Sequence, residues 1–595
     1  MTAAYAYAAR VSPATFLRAA SGYGRRVFTT RLRRSLAYRL LIGGPSPTRI
    51  LARPQLVIPG EPGLAAAFYR GQFDLARCRF DIGARNPFAV APPSPDWLEE
   101  LVGFDWLRHL AADGGVIAAA QARACVADWI EVQGRWHEVA WRPDMVARRM
   151  TSWLGHADVI VHGADQAFFD SFITALGRQL RYLLSAVDTI ARPRNRLAAR
   201  IAIVQAGLCL DDCERILPRA CDQLERELEA QVLPDGGHAD RNPQTLVDLL
   251  PTLICLRDTF AQRDLEPPHE LICAIERMLP MLRLFLHGDG GLALFNGATS
   301  TCAADVASII ATDATRGRPL AQARHSGYQR LVHGGATLIV DTGPPPPAGH
   351  AAGAHAGCLS FELSHDRHRI IVNCGEAAPE EHDWIAVART TAAHSTATVN
   401  DCPSGRIRSG WLTRRLFAGA LLDGPRTVEV EREDGPAGTI VEAGHDGYER
   451  RFGLIHSRRL YLSEDGCDLR GEDSFMRSHD RFRLGGGHAE RYALRFHLHP
   501  SVRATASKSG DSVLLLLPNH VGWRFTAAGG AIGLEESVYL GDGGQPRRTR
   551  QIVVHGAVAD RAVVKWALKK GSKRHGSAAR DTDAPGLPLG DDVRP

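Results

Sequence analysis

Paired cysteines, long apolar runs and, at one end, acidic side chains are what this chain lacks. Its twelve cysteines include no C-x-x-C and follow no pairing rhythm, which argues against a disulfide framework and against a Cys-based zinc site. Cys255 and Cys273 lie in helix-like apolar patterns, where a thiol acts as a small buried hydrophobe. Taken alone, this usage points to a reducing compartment. No run of about 18 apolar residues occurs, so no segment reads as membrane-spanning. There is no G-x-S-x-G elbow and no P-loop, and Gly485-Gly-Gly precedes no helical pattern, so a nucleotide site is unsupported. Asp and Glu are absent from the first sixty residues, which carry ten arginines. Such an arm suits anionic lipid, nucleic acid or an acidic glycan, or is simply a solvated leader. Ser35 to Gly44 is short, interrupted by Arg39 and without a small-x-small cleavage site, so it makes a poor secretion signal.

What is present is ordinary globular composition, 45% hydrophobic and 23% charged over 595 residues with a formal charge of +5. That length exceeds one core and predicts two or three domains. From about Asp96 to Asp313 apolar residues recur at helical spacing. Leu197, Ile201, Val204 and Leu208 mark one face, and Leu246, Leu249, Leu250 and Leu253 another. Punctuation falls at Arg192-Pro-Arg-Asn, Pro234-Asp-Gly-Gly, Pro267-Pro268 and His287-Gly-Asp-Gly-Gly. From about Ser326 the period becomes two, as in Ala336 to Val340, Thr427 to Glu431, Tyr492 to His499, Val513 to Leu517 and Gln551 to Val554. The expected fold is therefore α+β and multidomain, a helical (α/α) toroid or incomplete barrel followed by an antiparallel β-sandwich. The expected divisions are a basic N-terminal arm (1–80), a toroid (81–320), a sandwich (321–568) and a disordered tail (569–595).

One stretch is distinctive. His350 to Gly375 reads HAAGAHAGCLSFELSHDRHRIIVNCG, and Arg389 to Thr396 reads RTTAAHST. Leu359, Phe361 and Leu363 alternate with Ser360, Glu362 and Ser364, and histidines flank the strands at His355 and His394. This resembles the C-terminal β-domain of the heparinase II/III family of polysaccharide lyases, over roughly Phe80 to Val564. The resemblance implies β-elimination at a uronic acid. Such a site must neutralise the substrate carboxylate, supply a base near C5 and supply an acid for the leaving oxygen.

The family's carboxylate-binding Asn-His pair falls on Asn195-Arg196. Arg196 can pair a carboxylate but cannot act as a base, and Asn195 could equally cap its helix. The family tyrosine would fall near Thr245, where there is none; Asn242-Pro243 reads as a cap with a first-turn proline. His238 and Arg241 are the polar groups of that turn, and His238 is a candidate replacement base. The family's catalytic histidine becomes Gly353 and an aspartate becomes Gly357, and His350 is the candidate for the vacant place if the loop bulges. A metal would meet His355, Asn373 and His394, a poor zinc set that predicts weak or absent binding. Trp141, Met145, Arg149 and Trp153 share a helix face and are candidates for the sugar, although aromatics at that spacing are more often core. Tyr448 is a candidate proton donor or a sheet residue.

The resulting expectation is a lyase with Asn195, Arg196, His238 and His394 in catalysis, and Trp141, Arg149, Trp153, Arg241 and Tyr448 on an acidic polysaccharide. No cofactor beyond weakly bound zinc is expected, and no nucleic acid. The basic N-terminus would allow peripheral membrane contact. The alternative is a non-catalytic glycan-binding or envelope-assembly protein on the same scaffold. Location is expected in the envelope or periplasm by resemblance, or in the cytoplasm for want of a secretion signal.

Overall fold

The computed structural model describes residues 3–6, 13–33, 43–313, 317–408, 410–417, 419, 421–478, 490–558 and 561–571. The expected disordered tail lies outside them apart from its first residues, as does Gly485-Gly-Gly.

Helices dominate from Pro62 to Ala311 and antiparallel strands from Gln322 to Lys570. At the centre of the helical part is Pro193–Cys209, buried nearly all round from Leu197 to Cys209. A helix that is apolar on every face must be enclosed by others. Here Pro143–Gly155, Gln166–Ala186, Leu217–Gln231 and Pro243–Gln262 pack against it. The residues from 43 to 80 are not a detached arm. Phe68 and Phe73 bury against Trp106, with ring centroids 5.2 and 5.6 Å apart, and that apolar area belongs to the helical core. The arm's first residues join the sheets, because Ala3–Ala6 pairs with Thr427–Gly435.

Among the described residues, beside two small two-stranded sheets, most strands form two nine-stranded antiparallel ones. Their facing sides supply a common core, with Phe361 stacked on Trp566 at 5.7 Å and Phe496 edge-on to the same indole at 4.8 Å. Between Gly327 and Val564 the helices among the described residues are short, the longest being His382–Ala388 and Trp411–Phe417 at 7 residues each. The fold is thus a helical part followed by an antiparallel β-sandwich, as the change of period predicts.

The two glycine-rich punctuation loops clamp the halves together. Asp235 accepts from the backbone of His325 and Ser326 at 2.7 and 2.6 Å. Asp289 pairs with Arg369 at 2.8 Å, and His287 bonds Ser364 and Glu362 at 2.9 and 3.1 Å. The glycines are demanded by contact: a Cβ at Gly288 would lie 1.8 Å from the Asp366 carbonyl oxygen, and one at Gly236 2.0 Å from that of Arg277. Arg241 completes the clamp. It is buried, ion-paired to Asp341, and donates to the carbonyls of Ser326 at 2.7 Å and Pro344 at 2.8 Å. The expectation that Arg241 holds substrate is therefore corrected, since its donors are spent inside the fold.

Candidate functional site

A cleft of about 1230 Å³ opens between the two halves. The helical wall presents Asp96, Glu99, Arg192 and Arg194, and the sheet wall presents His350, Gly353, Glu376 and Glu380. Arg192 and Arg194 come from the N-terminal end of the central helix, where Pro193 occupies the first turn and Arg192 is the capping residue. Asn195 is consequently not the cap. It sits inside the first turn, with its Nδ2 3.4 Å from Asp144.

Arg196 is engaged too. Its guanidinium takes Glu227 through Nε, and through Nη2 at 3.2 Å. Gln231 Nε2 donates to the same carboxylate at 2.6 Å and to Pro193 O at 3.1 Å. That fixes Gln231 Oε1 as an acceptor, and His238 Nε2 meets it at 3.1 Å. The other nitrogen of His238 lies 2.8 Å from Asp240. Burial acts to raise the Asp240 carboxyl, but the His238 imidazole, the Asn242 N–H and Arg194 outweigh it and bring it down to about 2. His238 thus borders the cleft but is buried with both nitrogens occupied, unlike the free base expected of it.

His350 is different. It lines the cleft, 5.7 Å from His238 ring to ring, and among the described residues its nitrogens make no hydrogen bond. Burial, then the neighbouring His238, pushes its imidazole down to about 4, so it is neutral at pH 7. Gly353, where the resemblance would put a catalytic histidine, has nothing within 4 Å of a Cβ. Among the described residues no tyrosine lines the cleft. Its acids come from both walls: burial, then Glu99 and Glu380, lift the Asp96 carboxyl above its ordinary value.

His355 and His394 do come together. His394 Nδ1 donates to Thr390 O at 2.8 Å, so its Nε2 accepts from His355 Nδ1 at 3.2 Å. His355 Nε2 then faces Glu376 at 2.6 Å. Three hydrogen bonds on two imidazoles need one proton more than two neutral rings carry. A bridging metal would satisfy the same geometry only with further ligands. Asn373 does not supply one. Its Oδ1 accepts from Ser395 N at 3.0 Å, which leaves Nδ2, a donor, buried and unpartnered. Among the described residues no group of three or more His, Cys, Asp or Glu is placed to hold a metal. The residues therefore do not fit zinc. His394 is buried, with both nitrogens used and its imidazole held well below its ordinary value by burial and then by His355. Gly357 is glycine because a Cβ there would lie 2.7 Å from the His394 ring.

The remaining expected sugar contacts are core. Trp141 and Trp153 are buried. Arg149 stacks over Trp129 at 4.0 Å and donates to Val102 O, Ala140 O and Gln179, and burial pulls it down to about 9. Tyr448 is buried and donates to Ala397 O at 2.6 Å. Those four side chains cannot touch a glycan. Glu376, Asp96, Glu99, Glu380 and Arg192 were missed by sequence reasoning; only Glu376, three residues beyond Asn373, stood beside a recognisable motif.

Residues 315–567 match the family Heparinase II/III-like, C-terminal. The chain is 34% identical over 540 residues to FtsZ-localized protein C of Caulobacter vibrioides, covering 90% of this chain and 92% of that protein. A solved heparinase III covers 95% of this chain and 93% of its own, with TM-score 0.68 at 12% identity. A mutant of heparan sulfate lyase HepC from Pedobacter heparinus covers 86% of this chain and 83% of its own, with TM-score 0.58 at 16% identity. These structures share the fold, a polysaccharide-lyase scaffold. The chain belongs to the heparinase II/III-like family.

Proposed function

We propose that this protein is a non-catalytic, envelope-associated assembly protein that co-localises with FtsZ, and that its cleft binds a ligand without cleaving it. One observation carries the reading. The side chains that would neutralise a uronate already face protein carboxylates, Arg196 on Glu227 and Asn195 on Asp144. Releasing Arg196 would strand a part-buried glutamate, an expensive step for a substrate to drive. The acids on both walls, set beside Arg192 and Arg194, give the cleft mixed charge and so less attraction for a polyuronate than a uniformly basic cleft would have. The cleft suits a ligand of mixed or low charge.

The name of the 34% identical relative supports the FtsZ association. The test has two arms. Purified protein is incubated with a panel of uronic-acid polysaccharides while the ultraviolet absorbance of unsaturated ends is followed. A fluorescent fusion is then imaged against FtsZ in cells. No absorbance together with co-localisation is expected; sustained product formation overturns the reading.

A second reading, a lyase with relocated groups, is favoured by His350 alone, whose unbonded neutral imidazole faces the cleft, although an imidazole held near 4 is a weak base at pH 7. It requires that His350→Ala abolish any product formed.

A further inference from the structure

Gln72–Leu75 and Cys78–Asp81 form a hairpin whose loop is only Ala76-Arg77, because Leu75 pairs with Cys78. Both loop residues are left-handed, at φ 47° and 59°. A two-residue turn of this kind is the province of Asn-Gly or Asp-Gly, since other L-residues meet a steric cost there. Among the described residues the other adjacent pair of non-glycines at positive φ is Asn400-Asp401, residue types that tolerate it. Alanine and arginine lack that tolerance, so the conformation is imposed from outside. Phe73 and Phe80 lie edge-on to Trp97 at 6.3 and 5.5 Å, and Ala76 N donates to Glu100 at 2.7 Å.

The strained turn delivers Arg77 to the wall of the cleft. Its guanidinium reaches the sheet half of the protein, with its central carbon 2.7 Å from where a Cβ at Gly543 would lie. The next residue, Gly544, accepts from Ala378 N at 3.0 Å, and Ala378 also lines the cleft. Arg77 thus spans the two halves, yet among the described residues it makes no hydrogen bond or ion pair. Asp542, beside Gly543, is taken by Arg547. Other arginines of the cleft are committed: Arg148 pairs with Asp105, Arg194 with Asp248, and Arg389 donates to Ala354 O.

Backbone strain persists where the surrounding structure over-determines it, commonly at ligand clamps. A free guanidinium fixed beside such a turn is matched by an anion that takes two of its N–H groups at once. We propose that Arg77 is the anion anchor of the cleft, holding a carboxylate or phosphate group of the ligand against the Gly543–Gly544 loop. The proposal rests on the reading of the cleft as a binding site and names one group of its ligand. Asp96, Glu99 and Glu380, also on the walls, then meet the uncharged or basic remainder.

The experiment is isothermal titration of the full chain with pyrophosphate and with tricarballylate. Neither probe can undergo β-elimination, so a failure here is separate from any result of the cleavage assay. Binding of one anion per chain is expected, and the tighter probe tells phosphate from carboxylate. Arg77→Gly should weaken it about tenfold or more, the scale of a charge-assisted hydrogen bond. Arg77→Lys should weaken it less, because the charge stays and the fork goes. Ala76→Gly should leave binding unchanged. Glycine adopts these φ values without steric cost, so neither glycine variant should melt lower than wild type by more than about 2 °C. No anion binding by the wild type overturns the proposal, as does wild-type affinity in Arg77→Gly. A lower melting temperature in Arg77→Gly with affinity kept overturns it too, in favour of a brace between the halves. If both fall together, Arg77→Gln decides, since it keeps a stem over Gly543 and removes the charge. Affinity retained in that variant overturns the proposal, and affinity lost supports it.

Discussion

Replacing Asn373 by Asp should convert a proton-bridged histidine pair into a metal site. The two facing ring nitrogens lie 3.2 Å apart. Zinc–nitrogen bonds of about 2.0–2.1 Å at a tetrahedral angle require a separation of roughly 3.3 Å, so the rings need move only slightly. Their outer nitrogens are already anchored, His355 on Glu376 and His394 on Thr390 O, which is how metal-bound imidazoles are commonly oriented. What is missing is negative charge. Asn373 Oδ1 is held by Ser395 N–H, and its other terminus is an unpartnered donor. An aspartate would keep the first contact and offer a lone pair in place of the N–H₂. Without metal it would be a buried carboxylate with a single donor, costing about 3 kcal/mol. For a part of this size that is roughly 6 °C or more of melting temperature. Zinc should restore the loss, and bind at least a hundredfold more tightly than to wild type. Thermal shift with and without zinc, and metal analysis after mild chelation, decide it. Stoichiometric zinc retained by the wild type would refute the exclusion argued from Asn373; a folded Asn373→Asp variant indifferent to zinc would refute the geometry.

Three further outcomes follow from other parts of the molecule. Arg458 and Asp473 are buried, 2.8 Å apart, with His456 and Trp566 on the same carboxylate; Asp473→Asn should cost about 3–5 kcal/mol in denaturant unfolding, and a cost under 1 would show that the network is dispensable. Burial holds His445 well below its ordinary value and, with Arg495, brings the buried His497 down to about 4. Their neutral burial favours folding above about pH 6.5, and this contribution is lost as pH falls toward 4 because the unfolded chain takes up the protons. The loss is on the order of 3 kcal/mol for His497, and urea midpoints that stay flat from pH 7 to 5 would contradict it. Asn195→Ala should lower stability by about 1 kcal/mol at most, since one long hydrogen bond is lost; if any polysaccharide is a substrate and turnover per folded molecule drops about a hundredfold, Asn195 is a transition-state donor after all.

The change from helical to alternating period was legible because burial dictates it residue by residue, and the Asn242 cap was legible because Pro243 follows it. The same proline rule applied to Arg192-Pro193 would have placed the cap at Arg192 and kept Asn195 out of that role. The core reading of Trp141 and the sheet reading of Tyr448 were open in the sequence, but the burial of Arg149 and Arg241 was not legible. A buried arginine is tolerated only where distant segments supply its acceptors, and Arg241 draws on Asp341, a hundred positions away. The acids of the cleft were equally hidden, because Asp96 and Glu380 meet only after the two halves dock. The His355–His394 approach was legible through the family resemblance, but the state of Asn373 depended on which of its ends Ser395 engages.

The anchoring of the site explains how its shape can outlast its chemistry. Leu359, four residues after His355, is held at φ 60°, a conformation that strains a branched side chain. It stays there because its N–H donates to Asp341 O at 2.8 Å and its carbonyl accepts from Arg458 at 2.8 Å. Arg458 also donates to Ser395 O, next to His394. Asp341 belongs to the clamp with Arg241, and Arg458 to the buried network of Asp473. Two ionic networks that hold the halves and the sheets thus also set the turns carrying both histidines. Neither network depends on a tyrosine in the cleft, on a side chain at Gly353 or on a free guanidinium at Arg196. Substitutions at those positions would leave the scaffold's stabilising contacts intact. A lyase-shaped cleft can therefore be kept for binding after the means of cleavage are gone, the physical basis on which the non-catalytic reading rests.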